Sequence, residues 1–119
     1  MITQKTGQKG EDKALSYLTE QGLKLIKRNY SCRLGEIDLV MRDKNYLVFV
    51  EVRSRNSMKF GGGIGSITLA KRQKIMKTTS CYLQQYQLLE KNPIRFDVVS
   101  IDNNSGSITW LRDAFGYDY

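Results

Sequence analysis

The chain has 119 residues, a length that fits one compact domain, and we predict a single domain over residues 1–119. Its 19 basic and 12 acidic residues give a net charge of +7, and it contains no histidine. Catalytic triads that use histidine, histidine zinc sites and imidazole acid–base chemistry are therefore excluded. The positive charge favours an anionic partner, with nucleic acid ahead of an anionic membrane surface.

The apolar periodicity and the turn residues predict seven elements. In chain order they are a helix over about 8–21, strands over 23–30, 36–42 and 46–53, a helix from a Thr68 cap to about 87, and strands over 95–101 and 107–111. This order, α-β-β-β-α-β-β, predicts an α/β domain with a mixed central sheet flanked by helices.

Two absences bear on location. The first 20 residues are polar, and no apolar run approaches the length needed to span a bilayer. The two cysteines, Cys32 and Cys81, are far apart in the sequence. One disulfide between them is an alternative, but isolated cysteines without an export signal favour a reduced, cytoplasmic protein with no membrane partner.

The hairpin formed by strands 36–42 and 46–53 is the most informative feature. A turn over 43–46 gives one apolar face with the opposed pairs Ile37–Val52, Leu39–Val50 and Met41–Val48. The other face then has the opposed pairs Val40–Phe49, Asp38–Glu51 and Glu36–Arg53. A register shifted by one residue would mix polar with apolar partners. The pattern therefore predicts that Asp38 and Glu51 lie side by side.

Adjacent carboxylates on a sheet repel each other, and the repulsion grows near a low-dielectric core. A divalent cation removes it, because Mg²⁺ commonly takes one or two protein carboxylates together with waters and phosphate. Asp38 and Glu51 are therefore candidate metal ligands and catalytic acids for phosphodiester hydrolysis. Arg53 lies on the same face and would stabilise charge that develops on the phosphate. Glu11 projects from the apolar side of the first helix and is a candidate third acid.

A structural cluster is the alternative to a metal site. In it, Glu36 pairs with Arg53 and Arg55 pairs with Asp38, without any cation. Ion-pair clusters of this kind are common on exposed sheets, whereas apolar residues on both sides of the central strands predict that both faces of this sheet are covered. The metal site is therefore the favoured interpretation.

Basic residues flank a glycine-rich segment at 54–66, which we predict to be a loop. It is not a phosphate-binding P-loop, because no Gly-Lys-Ser/Thr follows it. The candidate contacts to a nucleic-acid backbone are Arg55, Lys59, Lys71, Arg72 and Lys74. A solvated helix face is the alternative interpretation of the last three.

Several strings resemble the bacterial YraN family. They are Gly35-Glu36-Ile37-Asp38-Leu39, Phe49-Val50-Glu51-Val52-Arg53, Phe60-Gly61 and Arg95-Phe96-Asp97-Val98, together with Gly10-Glu11 and Arg28-Asn29. The resemblance covers nearly the whole chain. It implies a restriction-endonuclease-like core of the PD-(D/E)xK nuclease superfamily, which includes archaeal Holliday-junction resolvases, and a metal-dependent endonuclease that acts on DNA, including branched forms.

The resemblance also implies roles for particular residues. Asp38 and Glu51 match the two acids of the motif, which would hold Mg²⁺ or Mn²⁺, and Glu11 matches the helical acid of the resolvases. Arg53 stands where active nucleases usually place Lys, and Lys71 would supply an amine if the second helix borders the site. By analogy with resolvases the protein is expected to be a homodimer.

Two other functions compete with the nuclease. The first is a catalytically inactive nucleic-acid-binding module, which Arg53 favours because arginine does not readily lose a proton. The second is a protein-interaction factor in which the acidic and basic cluster is structural.

Overall fold

The computed structural model describes the backbone of residues 2–56 and 67–116, with side chains from residue 9 onward. Within these residues the elements are α1 (Ile2–Glu20), β1 (Lys24–Cys32), β2 (Gly35–Asp43), β3 (Tyr46–Arg55), α2 (Leu69–Gln85), β4 (Ile94–Asp102) and β5 (Ile108–Phe115). The predicted α-β-β-β-α-β-β order is confirmed. The architecture is compatible with a restriction-endonuclease-like core.

The strands form one mixed sheet in the order β1-β2-β3-β4-β5. Strands β3 and β4 are parallel, and the other neighbouring strands are antiparallel. A parallel pair requires a crossover connection, and α2 lies in the segment that joins β3 to β4.

Two element boundaries differ clearly from the prediction. Helix α1 begins at Ile2 rather than near residue 8, because its first turns are polar and carry no apolar stripe that would reveal them. Strand β5 continues to Phe115 rather than ending at residue 111. The reason is tertiary, since the Phe115 ring is buried and stacks on Phe96 with centroids 5.0 Å apart.

Both faces of the sheet are covered, as predicted. On one face, helix α1 contributes Ala14 and Leu18 to a core with the sheet residues Leu39, Met41, Val48, Val50, Val99 and Ile101. On the other face, helix α2 contributes Ile75, Tyr82 and Leu83 to a core with the sheet residues Tyr30, Ile37, Val40, Phe49, Phe96 and Val98. The central strands are therefore sandwiched between the two helices.

The Thr68 cap is confirmed. Its hydroxyl accepts a hydrogen bond from the backbone N–H of Lys71 at 3.1 Å, which fixes the first turn of α2. On α2, Tyr82 is buried, whereas Tyr86 at the C-cap is exposed. No helix in the described part of the chain is long and apolar enough to cross a membrane.

Candidate metal and phosphate site

The β2–β3 hairpin adopts the predicted register. The observed pairs include Leu39–Val50, Val40–Phe49 and Met41–Val48. The paired region reaches Leu39–Val50, and beyond it Oδ2 of Asp38 accepts a hydrogen bond from the backbone N–H of Val52 at 2.8 Å. Asp38 and Glu51 lie side by side at this end of the hairpin, close enough for the charge of Glu51 to act on Asp38.

The face predicted for Ile37 is wrong. Ile37 packs in the core under α2, whereas Leu39 packs in the core under α1. The neighbouring strand gives the reason, because Asn29 has a φ of 54°. This conformation interrupts the alternation of β1, so that Arg28 contacts α1 while Tyr30 packs under α2. The change of face propagates to β2, where Leu39 and Ile37 are their partners.

Asp38 lies at this change of face, between two other acids. Glu51 is on the side of α2, and the charge of Asp38 also acts on Glu11 of α1. Burial, followed by the negative charge of Glu51, raises the pKa of Asp38 to about 7, although the Val52 N–H and the Lys71 ammonium oppose the rise. The carboxyl pair therefore carries less than two full negative charges near neutral pH.

Lys71 completes the α2 side of the site. Its Nζ lies 3.3 Å from Oε2 of Glu51, whose side chain is only 11% exposed, while the Lys71 side chain is 52% exposed. Helix α2 thus borders the acid pair, which is the condition under which Lys71 was expected to supply an amine. The ammonium group faces both a buried acid and solvent.

Glu11 lies on the other side of Asp38. The Arg28 guanidinium is 3.5 Å from Glu11 Oε1 and 2.8 Å from an oxygen of Asp12. The Asn29 amide nitrogen is placed to donate to both Glu11 oxygens, at 3.0 and 3.1 Å. Burial and the charge of Asp38 raise the pKa of Glu11, while Arg28 and Asn29 lower it.

The sequence predicted no role for Arg28 and Asn29. The signals that could have identified them are their place in the family resemblance and the readiness with which asparagine adopts a positive φ. Arg28 and Asn29 hold the Glu11 side chain on the α1 side of the sheet, away from Glu51.

A cavity of about 280 Å³ opens at the acid pair. It is lined by Gly35, Glu36, Asp38, Glu51, Lys71, Lys74 and Ile75. The backbone of Gly35 lies directly under α2, close to Lys74 and Thr78. The cavity wall therefore presents acids from the sheet and two lysines from the helix.

Of the remaining predicted residues, those that the structure describes do not line the cavity. By the alternation of β3, Arg53 is on the same face as Glu51, but in the described part of the chain it forms no ion pair with Glu36. Arg72 donates from Nε to the Ile67 carbonyl at 3.1 Å, and Arg55 lies at the far end of β3. Lys59 lies outside the described residues.

Two acids form the donor set that a divalent cation would meet at this site. Within residues 2–56 and 67–116 no group of three or more acidic or cysteine side chains converges on one point, so Glu11 does not join Asp38 and Glu51 as a third ligand. The Val52 N–H engages Oδ2 of Asp38 and Lys71 engages Oε2 of Glu51, which leaves Oδ1 and Oε1. Two carboxylate oxygens beside a cavity of this size fit Mg²⁺, which usually retains several waters.

The fold and the site together define an α/β protein with an acid pair on a central hairpin. The family model "Uncharacterised protein family UPF0102" matches residues 10–101. A UPF0102 protein of Legionella pneumophila is 60% identical over 114 residues, which cover 96% of this chain and 97% of the relative. UPF0102 proteins of a Janthinobacterium species and of Nitrosococcus oceani are each 49% identical over 111 residues, covering 93% and 92% of this chain and 87% and 90% of the relatives. The chain belongs to the UPF0102 (YraN) family.

Proposed function

We propose that the protein is a metal-dependent DNA endonuclease in which Asp38 and Glu51 hold Mg²⁺ or Mn²⁺. The observation that carries this proposal is the pair of adjacent, half-buried carboxyls, in which burial and the charge of Glu51 raise the pKa of Asp38 to about 7. Such a pair is unfavourable by itself and is relieved by a cation. A bound divalent ion would supply electrophilic assistance to the scissile phosphodiester.

The lysines of α2 give the proposal its phosphate contacts. Lys71 has its ammonium at the acid pair and in solvent, where it can contact a phosphate oxygen, and Lys74 lines the same cavity. Lys71 would also take the part of the motif lysine, since this chain has Arg53 at that position. Unlike a planar guanidinium, the compact ammonium of Lys71 has rotatable N–H donors that can orient an attacking water.

Cleavage assays test the proposal directly. Purified protein is incubated with branched, single-stranded and duplex DNA in Mg²⁺ or Mn²⁺. Wild type should cleave at least one substrate, and Asp38→Asn should lose more than the roughly 10–100-fold that follows loss of an outer-shell group at a metal site. Glu20→Gln, an exposed acid at the end of α1, is the matched control and should cleave like wild type. Equal cleavage by wild type and Asp38→Asn would overturn the proposal.

Calorimetry tests the metal site without a substrate. Titration of Mn²⁺ into the protein should give heats of binding that Asp38→Asn and Glu51→Gln abolish and Glu20→Gln retains. The titration is repeated with a non-cleavable DNA duplex, because substrate phosphate can be one of the ligands. Absence of binding at millimolar metal in both titrations would contradict the metal site.

A nucleic-acid-binding module without activity is the second candidate function, and Arg53 at the motif lysine position favours it. It predicts salt-sensitive DNA binding with no metal-dependent cleavage by wild type. The ion pairs Glu11–Arg28 and Glu51–Lys71 favour a third candidate, a protein-interaction factor with a structural cluster. In that case Asp38→Asn would change only the stability of the protein.

A further inference from the structure

The two cysteines meet across the contact between β1 and α2. Cys32 is the last residue of β1, and Cys81 lies in α2. The Tyr30 hydroxyl, which donates a hydrogen bond to Gln85 Oε1 at 2.8 Å, lies 3.5 Å from the Cys81 sulfur. Cys32 packs against the same core as Tyr30, next to Cys81. Both thiols are free and half-buried. The fold therefore brings together two residues that are far apart in the sequence, and it leaves both within reach of a small solute.

Cys32 has the environment of a reactive thiol. The Leu34 backbone N–H donates to its sulfur at 3.4 Å, and the Gly35 N–H is a further favourable neighbour. Burial raises the pKa of Cys32, but these N–H groups and the neighbouring Cys81 outweigh burial, so that the pKa lies below its ordinary value. Backbone N–H groups that point at a sulfur favour the thiolate, which is the nucleophilic form.

We propose that Cys32 and Cys81 form a peroxide-sensitive pair that closes into an intrachain disulfide. The Cys32 thiolate attacks one oxygen of hydrogen peroxide, the O–O bond breaks, and Cys32 becomes a sulfenic acid while hydroxide leaves as water. The Cys81 thiolate then attacks the sulfenic sulfur, the S–O bond breaks, and the departing hydroxide takes up the proton that Cys81 released. Overall, two thiols lose two electrons and one peroxide is reduced to two waters.

The disulfide would link α2 to the turn between β1 and β2. Thr78, one turn before Cys81, lies against Gly35, and Gly35 and Lys74 both line the cavity described above. Bond formation brings the two sulfurs to about 2.05 Å and closes a loop of about 50 residues. Oxidation would therefore fix the helix that forms one wall of the cavity. An effect on cleavage would rest on the proposed function, but disulfide formation does not.

The experiment uses the full chain, reduced with dithiothreitol, desalted and treated with graded hydrogen peroxide. Remaining thiols are trapped with N-ethylmaleimide in denaturant, and intact masses are measured. Wild type should lose about 2 Da, take up no maleimide and remain a monomer on a non-reducing gel. Peptide mapping should recover a peptide that joins Cys32 to Cys81, and dithiothreitol should release it.

Serine variants assign the two roles. Cys81→Ser should stop at the sulfenic acid and give a dimedone adduct on Cys32, because no second thiol resolves it. In Cys32→Ser, oxidation of Cys81 should be at least about tenfold slower than loss of thiols in wild type. Circular dichroism confirms that each variant is folded. If a variant does not fold, alkylation rates of the two thiols in native wild type replace it, and Cys32 should react faster.

Several outcomes would overturn the proposal. In one, wild type keeps both thiols at peroxide concentrations that oxidise free glutathione. In another, disulfides form only between chains. In the third, Cys32 and Cys81 react at equal rates. Failure of disulfide formation would leave the metal titration unaffected, and failure of the cleavage assay would leave the disulfide result unaffected. The two proposals are therefore tested separately.

Discussion

The carboxyl of Asp38 binds its proton more tightly in the folded chain than in the unfolded chain. Burial and then the charge of Glu51 raise its pKa from the ordinary 3.8 to about 7. Between these two values unfolding releases a proton, so the free energy of unfolding falls as the pH rises. The stabilisation from this group is complete below about pH 4 and is lost as the pH passes about 7.

Replacement of Asp38 by asparagine should remove this pH dependence. We subtract the free energy of unfolding of wild type from that of Asp38→Asn. This difference should be larger at pH 8 than at pH 5 by on the order of 2 kcal/mol, after allowance for solvent screening, so the variant gains stability relative to wild type as the pH rises. Urea denaturation in EDTA at both pH values measures it, since EDTA keeps the acid pair free of metal. Parallel pH profiles for the two proteins would show that Asp38 ionises as freely in the fold as outside it.

Asp97 is an acid with a purely structural environment. It is fully buried, and Arg95 donates to both of its oxygens at 2.9 Å, with further hydrogen bonds from Trp110 Nε1 at 2.9 Å and the Asp113 N–H at 3.0 Å. Asp97→Asn should destabilise the fold by about 3 kcal/mol, because the amide nitrogen would face these donors and the guanidinium would keep only its ion pair with Asp43. Asp12→Asn, a surface ion-pair acid, is the control and should cost no more than about 1 kcal/mol in chemical denaturation.

At the scale of elements, the central hairpin could be predicted because its alternating pattern is strict. Only one register of β2 and β3 puts apolar residues opposite apolar residues, and that register also places Asp38 beside Glu51. Ile37 was assigned to the wrong face because a single positive φ, at Asn29 on the neighbouring strand, reverses the alternation. The apolar pattern of β2 alone cannot reveal a change of backbone conformation on β1.

The sequence predicted a role for Lys71 at the acid pair only on the condition that α2 borders the site. The Thr68 cap predicts where α2 begins, and hence that Lys71 lies in its first turn. The sequence does not give the angle at which a crossover helix packs on its sheet, which depends on side chains contributed by several strands. The sequence offered the meeting of Cys32 and Cys81 only as an alternative for the same reason, since one residue lies on the sheet and the other on that helix.

The packing of α2 on the β1–β2 turn depends on Gly35. A Cβ there would lie 2.8 Å from the Thr78 hydroxyl and 3.2 Å from Lys74 Cγ, and the Thr78 hydroxyl is held by the Lys74 carbonyl. Gly35→Ala should therefore destabilise the fold by about 1–3 kcal/mol, as overpacking does. Gly10→Ala is the matched control, because its Cβ would lie 3.5 Å from Ser54 Cβ in ordinary contact. In a helix it should be neutral or stabilise by up to about 1 kcal/mol in thermal or urea unfolding. Equal effects of the two substitutions would contradict the close approach.

At the scale of the molecule, the net charge of +7 matters through its distribution. Lys71 and Lys74 line the cavity, whereas Lys24 is exposed at the opposite end of β1 from the turn that contacts α2. If DNA binds at the cavity, Lys74→Ala should lower the slope of log binding constant against log salt by about 1, since one phosphate contact is lost. Lys24→Ala should leave the slope unchanged. Fluorescence anisotropy with labelled duplex at several salt concentrations measures both, and equal slopes for the two variants would place the DNA elsewhere.

The parallel pairing of β3 with β4 has a consequence for the order of folding. Strands β2 and β3 are joined by a tight turn, whereas the β3–β4 ladder, which runs from Leu47–Ile94 to Arg55–Asp102, joins residues nearly 50 positions apart in the chain. Contacts between residues that are close in sequence form faster than contacts between distant ones, so we expect the hairpin to precede the crossover. Asp38 and Glu51 therefore meet early, and their lysine arrives only when α2 docks. Until α2 docks, the two adjacent carboxyl groups lack the lysine that balances their negative charge in the folded protein.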